Sequence, residues 1–213
     1  MKLLAINTCF KNTYVVAVNE NLSSCQQVDS KLKQSENVLE IVDTCLRETN
    51  FQISDLDAIA CVVGPGSFTG IRIGLALVKG FLFGAKEVKF IPITSFELML
   101  EEIREKGEKA EVCLVLNALS SKLFVQSFDK NNKSTLGPKL VEGEEINSLK
   151  NIYTISEDNL TIGSHKIDFS LDGLKNLASK KFENGEFSEN LEPIYIRKSQ
   201  AEDELEKREK KID

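Results

Sequence analysis

Apolar and polar positions change period several times along this chain, and each change marks an element. Residues 2–7 (KLLAIN) and 13–18 (TYVVAV) are short apolar runs joined by the turn Phe10-Lys11-Asn12. They predict two hairpin strands, with a third over 22–28. From 35 to 48 the period becomes helical: Val38, Leu39, Val42, Cys45 and Leu46 recur at three- and four-residue steps, behind Ser35 as N-cap. Strand 57–63, a glycine-rich loop, helix 70–84, strand 88–93 and a helix from Ser95 to Lys106 follow. Three hairpin-joined strands followed by alternating units imply a mixed sheet with helices on its faces.

The second half opens the same way. Residues 111–117 (EVCLVLN) and 122–128 (KLFVQSF) predict strands around the turn Ala118–Ser121, matching the first hairpin in spacing and in its Asn. A third strand near 135–141, weakened by Pro138, precedes a short helix near 143–149, strand 151–155 and helix 170–182. The pattern is that of an α/β protein with two duplicated lobes, 1–106 and 107–213, meeting where REKGEKAE has linker character. The chain closes with LEPIYIRKSQAEDELEKREKKID, a strand-like piece and then a charged helix that is solvated or packs back on the first lobe.

Composition narrows the classes of function. At 213 residues the chain can bury a sizeable core, and 41% apolar with 28% charged residues is ordinary for a globular protein. Net charge is -6, and the 27 basic residues are scattered, so the surface repels tRNA or DNA unless a partner supplies cations. Five cysteines without a C-x-x-C pair read as small buried hydrophobes in a reducing compartment. Met1-Lys2 leads directly into a strand, and no run of 18 apolar residues occurs, so the expected location is the cytoplasm, with no membrane contact.

The stretch CVVGPGSFTGIRIG, residues 61–74, sits where nucleotide-binding proteins place a phosphate loop. A Walker-type loop needs Lys and a hydroxyl after its last glycine, whereas Ile71 and Arg72 follow Gly70. The dinucleotide fingerprint fails by one residue, since after Gly64 and Gly66 its third position is Thr69. Pro65 removes a backbone donor as well. Gly64, Gly66, Ser67, Thr69 and Gly70 therefore suggest a tight strand-to-helix turn with Thr69 as N-cap. The rival reading is generic anion attraction to a helix start.

Helix 70–84 says more. Gly70, Gly74, Gly80 and Gly84 share roughly a third of its circumference, which lets a neighbouring backbone come close. Its other side carries Ile71, Leu75, Leu82 and Phe83, so the helix is apolar all round and must be covered all round. Either the second lobe or tail covers it, or a partner protein does. His165, in a GSHKID turn, is the only histidine, which excludes a His-metal cluster and a Ser-His-Asp set. Asn7 and Asn117 end the first strands of the two lobes, where a carboxylate would serve magnesium better.

LLAINTC at 3–9, LKQSENVLEIVDTCL at 32–46, LDAIACVVGPGSFTGIRIGLALVKG at 56–80 and PITSFELM at 92–99 together resemble the TsaB (YeaZ) family, as does PIYIRKSQAE at 193–202. The resemblance implies the actin-like (ASKHA) fold and a non-catalytic part in threonylcarbamoylation of the adenosine beside the anticodon, in tRNAs reading codons that begin with A. It implies a TsaD-type transferase as heterodimer partner, a TsaE-type ATPase nearby, tRNA contact only indirectly, and ATP held only by the TsaD/TsaE complex. It also implies a partner interface, or a homodimer, through the first two helices: Val38, Val42, Leu46, Gly70, Gly74, Leu77, Gly80 and Gly84. Aligned on Pro92, the His-x-x-x-His metal pair of TsaD falls on Ser95 and Met99, so no metal and no catalytic residue is expected. The chain departs from the family at Asn7-Thr8-Cys9, at Gln34-Ser35-Glu36 and at Asn117-Ala118-Leu119. A small-molecule kinase binding ATP through the loop is the alternative, and a metallopeptidase lacks its ligands.

Overall fold

The computed structural model describes residues 1–19, 22–29, 34–118, 121–142, 145–162 and 165–196. The first predicted hairpin forms β1 (Lys2–Asn7) and β2 (Asn12–Asn19), and β3 (Leu22–Asp29) pairs antiparallel with β2. Two parallel strands, β4 (Ala58–Val62) and β5 (Lys89–Ile93), extend the sheet from β1, giving the order β3-β2-β1-β4-β5. In the second half β6 (Val112–Asn117), β7 (Lys122–Phe128), β8 (Ser134–Glu142), β9 (Ile152–Ile155) and β10 (His165–Ile167) run in the order β8-β7-β6-β9-β10. Strand sense matches at every junction: two antiparallel pairs, then two parallel ones. The sheets are copies of one plan.

Strand β10 corrects the expected GSHKID turn. It is three residues long, and two of them, His165 and Lys166, are exposed polar positions. With only Ile167 buried, no period was available to reveal it. The helix expected near 143–149 is a 3-10 turn, Glu145–Ser148, with 143–144 outside the described residues. The strand-like piece in the tail joins neither sheet: residues 191–196 form no regular element, and Ile194 N–H donates to Val63 O at 2.8 Å. The charged stretch 197–213 lies outside the described residues.

Four helices complete the fold: α1 (Gln34–Glu48), α2 (Phe68–Gly84), α3 (Ser95–Glu105) and α4 (Leu171–Glu183). Because α1 begins at Gln34, Ser35 lies in its first turn and is not the N-cap. Helix α1 covers β2 and β3, and α2 covers β4. Helix α4, encoded after the second sheet, packs on β1, β2 and β5 of the first, while α3 packs on β6 and β10 of the second. Each half thus lends its last helix to the other half's sheet, and the two helices lie against each other.

One apolar core runs through this exchange. Val112, Leu114 and Leu116 of β6 join it together with β1, β4, α3 and α4. The alternate residues Cys113 and Val115 face a smaller cluster with Leu123, Val125, Val141, Ile146 and Ile152. The α3–α4 seam is charged where it reaches solvent. Lys181, almost buried, bridges Glu97 and Glu186 at 2.7 Å each, and Lys180 pairs with Glu101. The buried carboxylate of Glu102 accepts from Ser170 N–H at 2.7 Å and from its hydroxyl at 2.9 Å. Among the described residues no helix is long and apolar enough to cross a membrane.

Candidate functional site

The glycine-rich turn joins β4 to α2 above the end of β1. Gly64 has φ +110°, a left-handed conformation that favours glycine, and a Cβ there would meet Ile194 O at 2.9 Å. The next glycine, Gly66, lies against Cys9, whose carbonyl accepts the Ser67 N–H at 2.9 Å. The cap of α2 is Ser67, not the expected Thr69: its hydroxyl accepts from Gly70 N–H at 3.2 Å. Two backbone donors that a phosphate loop would aim outward, those of Ser67 and Gly70, are therefore spent on the protein itself. Fewer backbone donors are left here for an anion than a phosphate loop offers.

The metal-pair positions fit no better. Ser95 and Met99 on α3 are fully buried, a hydroxyl and a thioether in place of two imidazoles. Ser95 Oγ has no hydrogen-bond partner, and neither has Asn7 Nδ2 at the end of β1, while Asn7 Oδ1 accepts from Cys9 N–H at 3.0 Å. Among the described residues no group of three or more His, Cys, Asp or Glu is placed to hold a metal. Beneath the turn, burial pushes the Cys9 thiol well above its ordinary range and the Cys61 thiol up to about 12, so both stay protonated and packed.

The expected partner residues divide into two groups, and the division corrects the interface. Val38, Val42 and Leu46 are buried under α1 in the protein's own core and present nothing to a partner. The glycine stripe is split in the same way. A Cβ on Gly70 would lie 1.9 Å from Thr8 O, and one on Gly74 would lie 2.5 Å from Thr8 Oγ1. Thr8 Oγ1 in turn donates to Gly70 O at 2.6 Å. These two glycines let the helix start close onto β1, an intramolecular role. A Cβ on Gly80 or Gly84 would meet nothing within 4 Å.

What remains outward is a continuous apolar face. Ile73, Ala76, Leu77, Gly80, Phe83 and Gly84 fall within about 120° of the α2 circumference. Leu77 is half-buried, Gly80 and Gly84 are exposed, and Phe83 is 88% exposed. The neighbouring α1 adds Leu39, which the helical period assigns to the buried stripe but which is 54% exposed. At the other end of α2 the returning tail is clamped: Tyr195 stacks on Phe68 at 4.2 Å, and Arg72 Nε donates to the Tyr195 hydroxyl at 3.1 Å. Arg72 also lies over the Phe68 ring. The described part of the tail, up to residue 196, thus covers the N-terminal turn of α2, and no described residue covers the Gly80–Gly84 end. This clamp had no signal in the sequence beyond the aromatic residues themselves.

Strand order and its repetition define a two-lobed α/β protein of the actin-like class. The model of the family described as TsaD: tRNA N6-adenosine threonylcarbamoyltransferase matches residues 29–209. Relatives include the tRNA threonylcarbamoyladenosine biosynthesis protein TsaB of Escherichia coli (strain K12), 24% identical over 131 residues, 62% of this chain and 56% of that protein. The matched part thus spans little more than half the length of that relative. A tRNA N6-adenosine threonylcarbamoyltransferase of Streptococcus equi subsp. zooepidemicus (strain MGCS10565) is 28% identical over 123 residues, 50% of this chain and 36% of the other. In structure the chain is similar to YeaZ from Pseudomonas aeruginosa: TM-score 0.74 at 20% identity, over 91% of this chain and 99% of that one. The chain belongs to the TsaD family, in its TsaB (YeaZ) branch.

Proposed function

We propose that this protein is a non-catalytic scaffold subunit that activates a TsaD-type transferase in forming threonylcarbamoyladenosine beside the anticodon of tRNA. The observation that carries the reading is the outward face of α2. An 88% exposed Phe83 beside two glycines with nothing above them is a shape that a second protein fills. Family membership supports the choice of occupant, since a transferase of this name is itself a relative of the chain. The same face offers a route to a homodimer, and a TsaE-type ATPase would join the assembled pair. Tight packing of the loop and the buried Ser95 and Met99 support a subunit that leaves ATP, metal and transfer chemistry to its partners. tRNA then meets this chain only through the complex, in the cytoplasm.

Capture of the TsaD-type subunit from the same organism tests this, with wild-type protein and Gly80→Leu side by side. Gly80 is exposed with open space above it, so the variant keeps the fold and fills the docking face. Wild-type capture with loss in Gly80→Leu is expected. Equal capture by both proteins, or homodimers with no capture by either, would overturn the proposal. Gly74→Leu is unsuitable, since it would strike Thr8 and Cys61 within the core. The alternative, an ATP-binding small-molecule kinase, predicts calorimetric binding of ATP with magnesium that is lost on changing Thr69.

A further inference from the structure

A concave site lies between the C-terminal end of α3 and the edge strand β10. Its cavity is about 550 Å³, lined by Ile103, Lys106, Gly107, Glu108, Tyr153, His165, Lys166 and Ile167. That is within the ordinary range for small-ligand pockets. The local sequence explains how it forms. Tyr153 and His165 are register partners on the parallel strands β9 and β10, so both rings leave the same face of the sheet. They stack with centroids 4.6 Å apart and planes 19° from parallel. Tyr153 is nearly buried, whereas His165 above it is exposed, so the imidazole presents its outer face as a flat platform.

The opposite wall is built, not incidental. Helix α3 ends as Gly107 turns to φ +87°, and Gly107 N–H donates to Arg104 O at 3.0 Å. Arg104 then pins the chain beyond: it donates to Glu108 O and Ala110 O at 2.9 Å each, to Asp129 O at 2.8 Å and to Asn132 Oδ1 at 2.7 Å. This holds Lys106 at the rim with its ammonium exposed. Glu108, the acidic member, is already occupied, accepting from Ala110 N–H at 2.6 Å and from the Tyr153 hydroxyl at 3.2 Å. Lys166 alternates with His165 along β10, so its side chain leaves the other face of the sheet, where its ammonium donates to Leu160 O.

An exposed ring over a buried one, beside an exposed lysine in a preformed concavity, is the chemistry that takes an aromatic base with a phosphate attached. We propose that this cavity binds a nucleotide unit, its base stacked on His165 and its phosphate held by Lys106. The site is separate from the α2 face and stands or falls independently of the scaffold reading.

His165 is the only histidine in the chain, so its Cε1 proton gives a single assignable NMR signal. Titration of the full chain with AMP, with inorganic phosphate and with a short single-stranded oligoadenylate tests the proposal. AMP should move the signal upfield by ring current and saturate at a Kd on the order of 1 mM or tighter, which phosphate alone should not do. Lys106→Ala, at an exposed position, should weaken AMP binding about tenfold while leaving the melting temperature unchanged. An oligoadenylate bound much more tightly than AMP would mark a strand as the source of the nucleotide; equal affinity would mark a free nucleotide. No saturable shift with AMP up to about 10 mM, or the same shift with phosphate alone, would overturn the assignment.

Discussion

The two connections that leave the fourth strand of each half, β4 and β9, differ in length and in what they build. After β4 the first half builds a glycine-rich turn and α2, 17 residues long; after β9 the second half builds a 3-10 turn of three residues, Ser156–Asp158. The strands around them follow one plan, so the divergence is confined to what the strands carry. In the second half, Asp158 accepts from Asn117 N–H at 2.7 Å and Glu157 accepts from Lys11 N–H at 2.9 Å. That turn ties one half to the other. In the first half the long helix folds its start onto β1 and presents its end to solvent. A duplicated fold has kept one connection as an internal fastener and turned the other into a surface.

The largest break in this comparison comes from Gly70→Ala. The new Cβ would fall 1.9 Å from Thr8 O, so α2 must lift off β1. A loss on the order of 3 kcal/mol or more is expected in thermal or urea melts, and unchanged stability would show that the close approach is not needed. Next comes Phe83→Asp. It should leave the melt intact and cost about 2 kcal/mol, roughly thirtyfold, in affinity for the TsaD-type subunit, measured by calorimetry.

Glu102→Gln sharpens the contrast at the α3–α4 seam. Burial raises the Glu102 carboxyl above the ordinary glutamate range, opposed by the hydrogen bonds from Ser170. The unfolded chain, with a pKa of about 4.3, ionises first. Its stabilising contribution is therefore fully present below that value and is lost as pH rises through the higher folded pKa. Burial raises Glu157 and Asp158 likewise, while the hydrogen-bonded pair with Lys181 lowers Glu186 and contributes the opposite slope. Gln still accepts from Ser170 and does not ionise. Melts recorded against pH should therefore fall less steeply for the variant, and parallel slopes would show that Glu102 is not a contributor. The smallest effect is Gly80→Ala. In an exposed helix interior it should add about 0.5–1 kcal/mol, the opposite sign to Gly70→Ala on the same stripe.

That sign change also shows how far the sequence could be read. The order βββαβαβα was legible because each element of the first half carries its own period, as did the first hairpin of the second. The TsaB resemblance, carried by GPGSFTGIRIG and its neighbours, agrees with the family match. Strand β10 was illegible because His165 and Lys166 are exposed and leave one apolar position. For the candidate site, the four glycines were visible, but their partners were not. Gly70 and Gly74 answer to Thr8, a contact 62 residues away for Gly70 that no local pattern encodes. Val38, Val42 and Leu46 fail as a contact surface because an amphipathic stripe is first of all what a helix turns inward. The Arg72–Phe68–Tyr195 clamp and the Tyr153–His165 stack depend on the chain's return path, which periodicity does not report.

The exchange of α3 and α4 has a consequence for how the chain is made. Strands β1 to β5 are complete by residue 93, yet the face of that sheet closed by α4 waits for residues 171–183. On the ribosome, at about 5–20 residues per second, the first half emerges several seconds before its last covering helix. For that interval β1, β2 and β5 hold bare apolar surface, and the contacts that close it are long-range ones, the slowest to form. A protein completed by its own far end is exposed to trapping by anything that reaches the open sheet before α4 does.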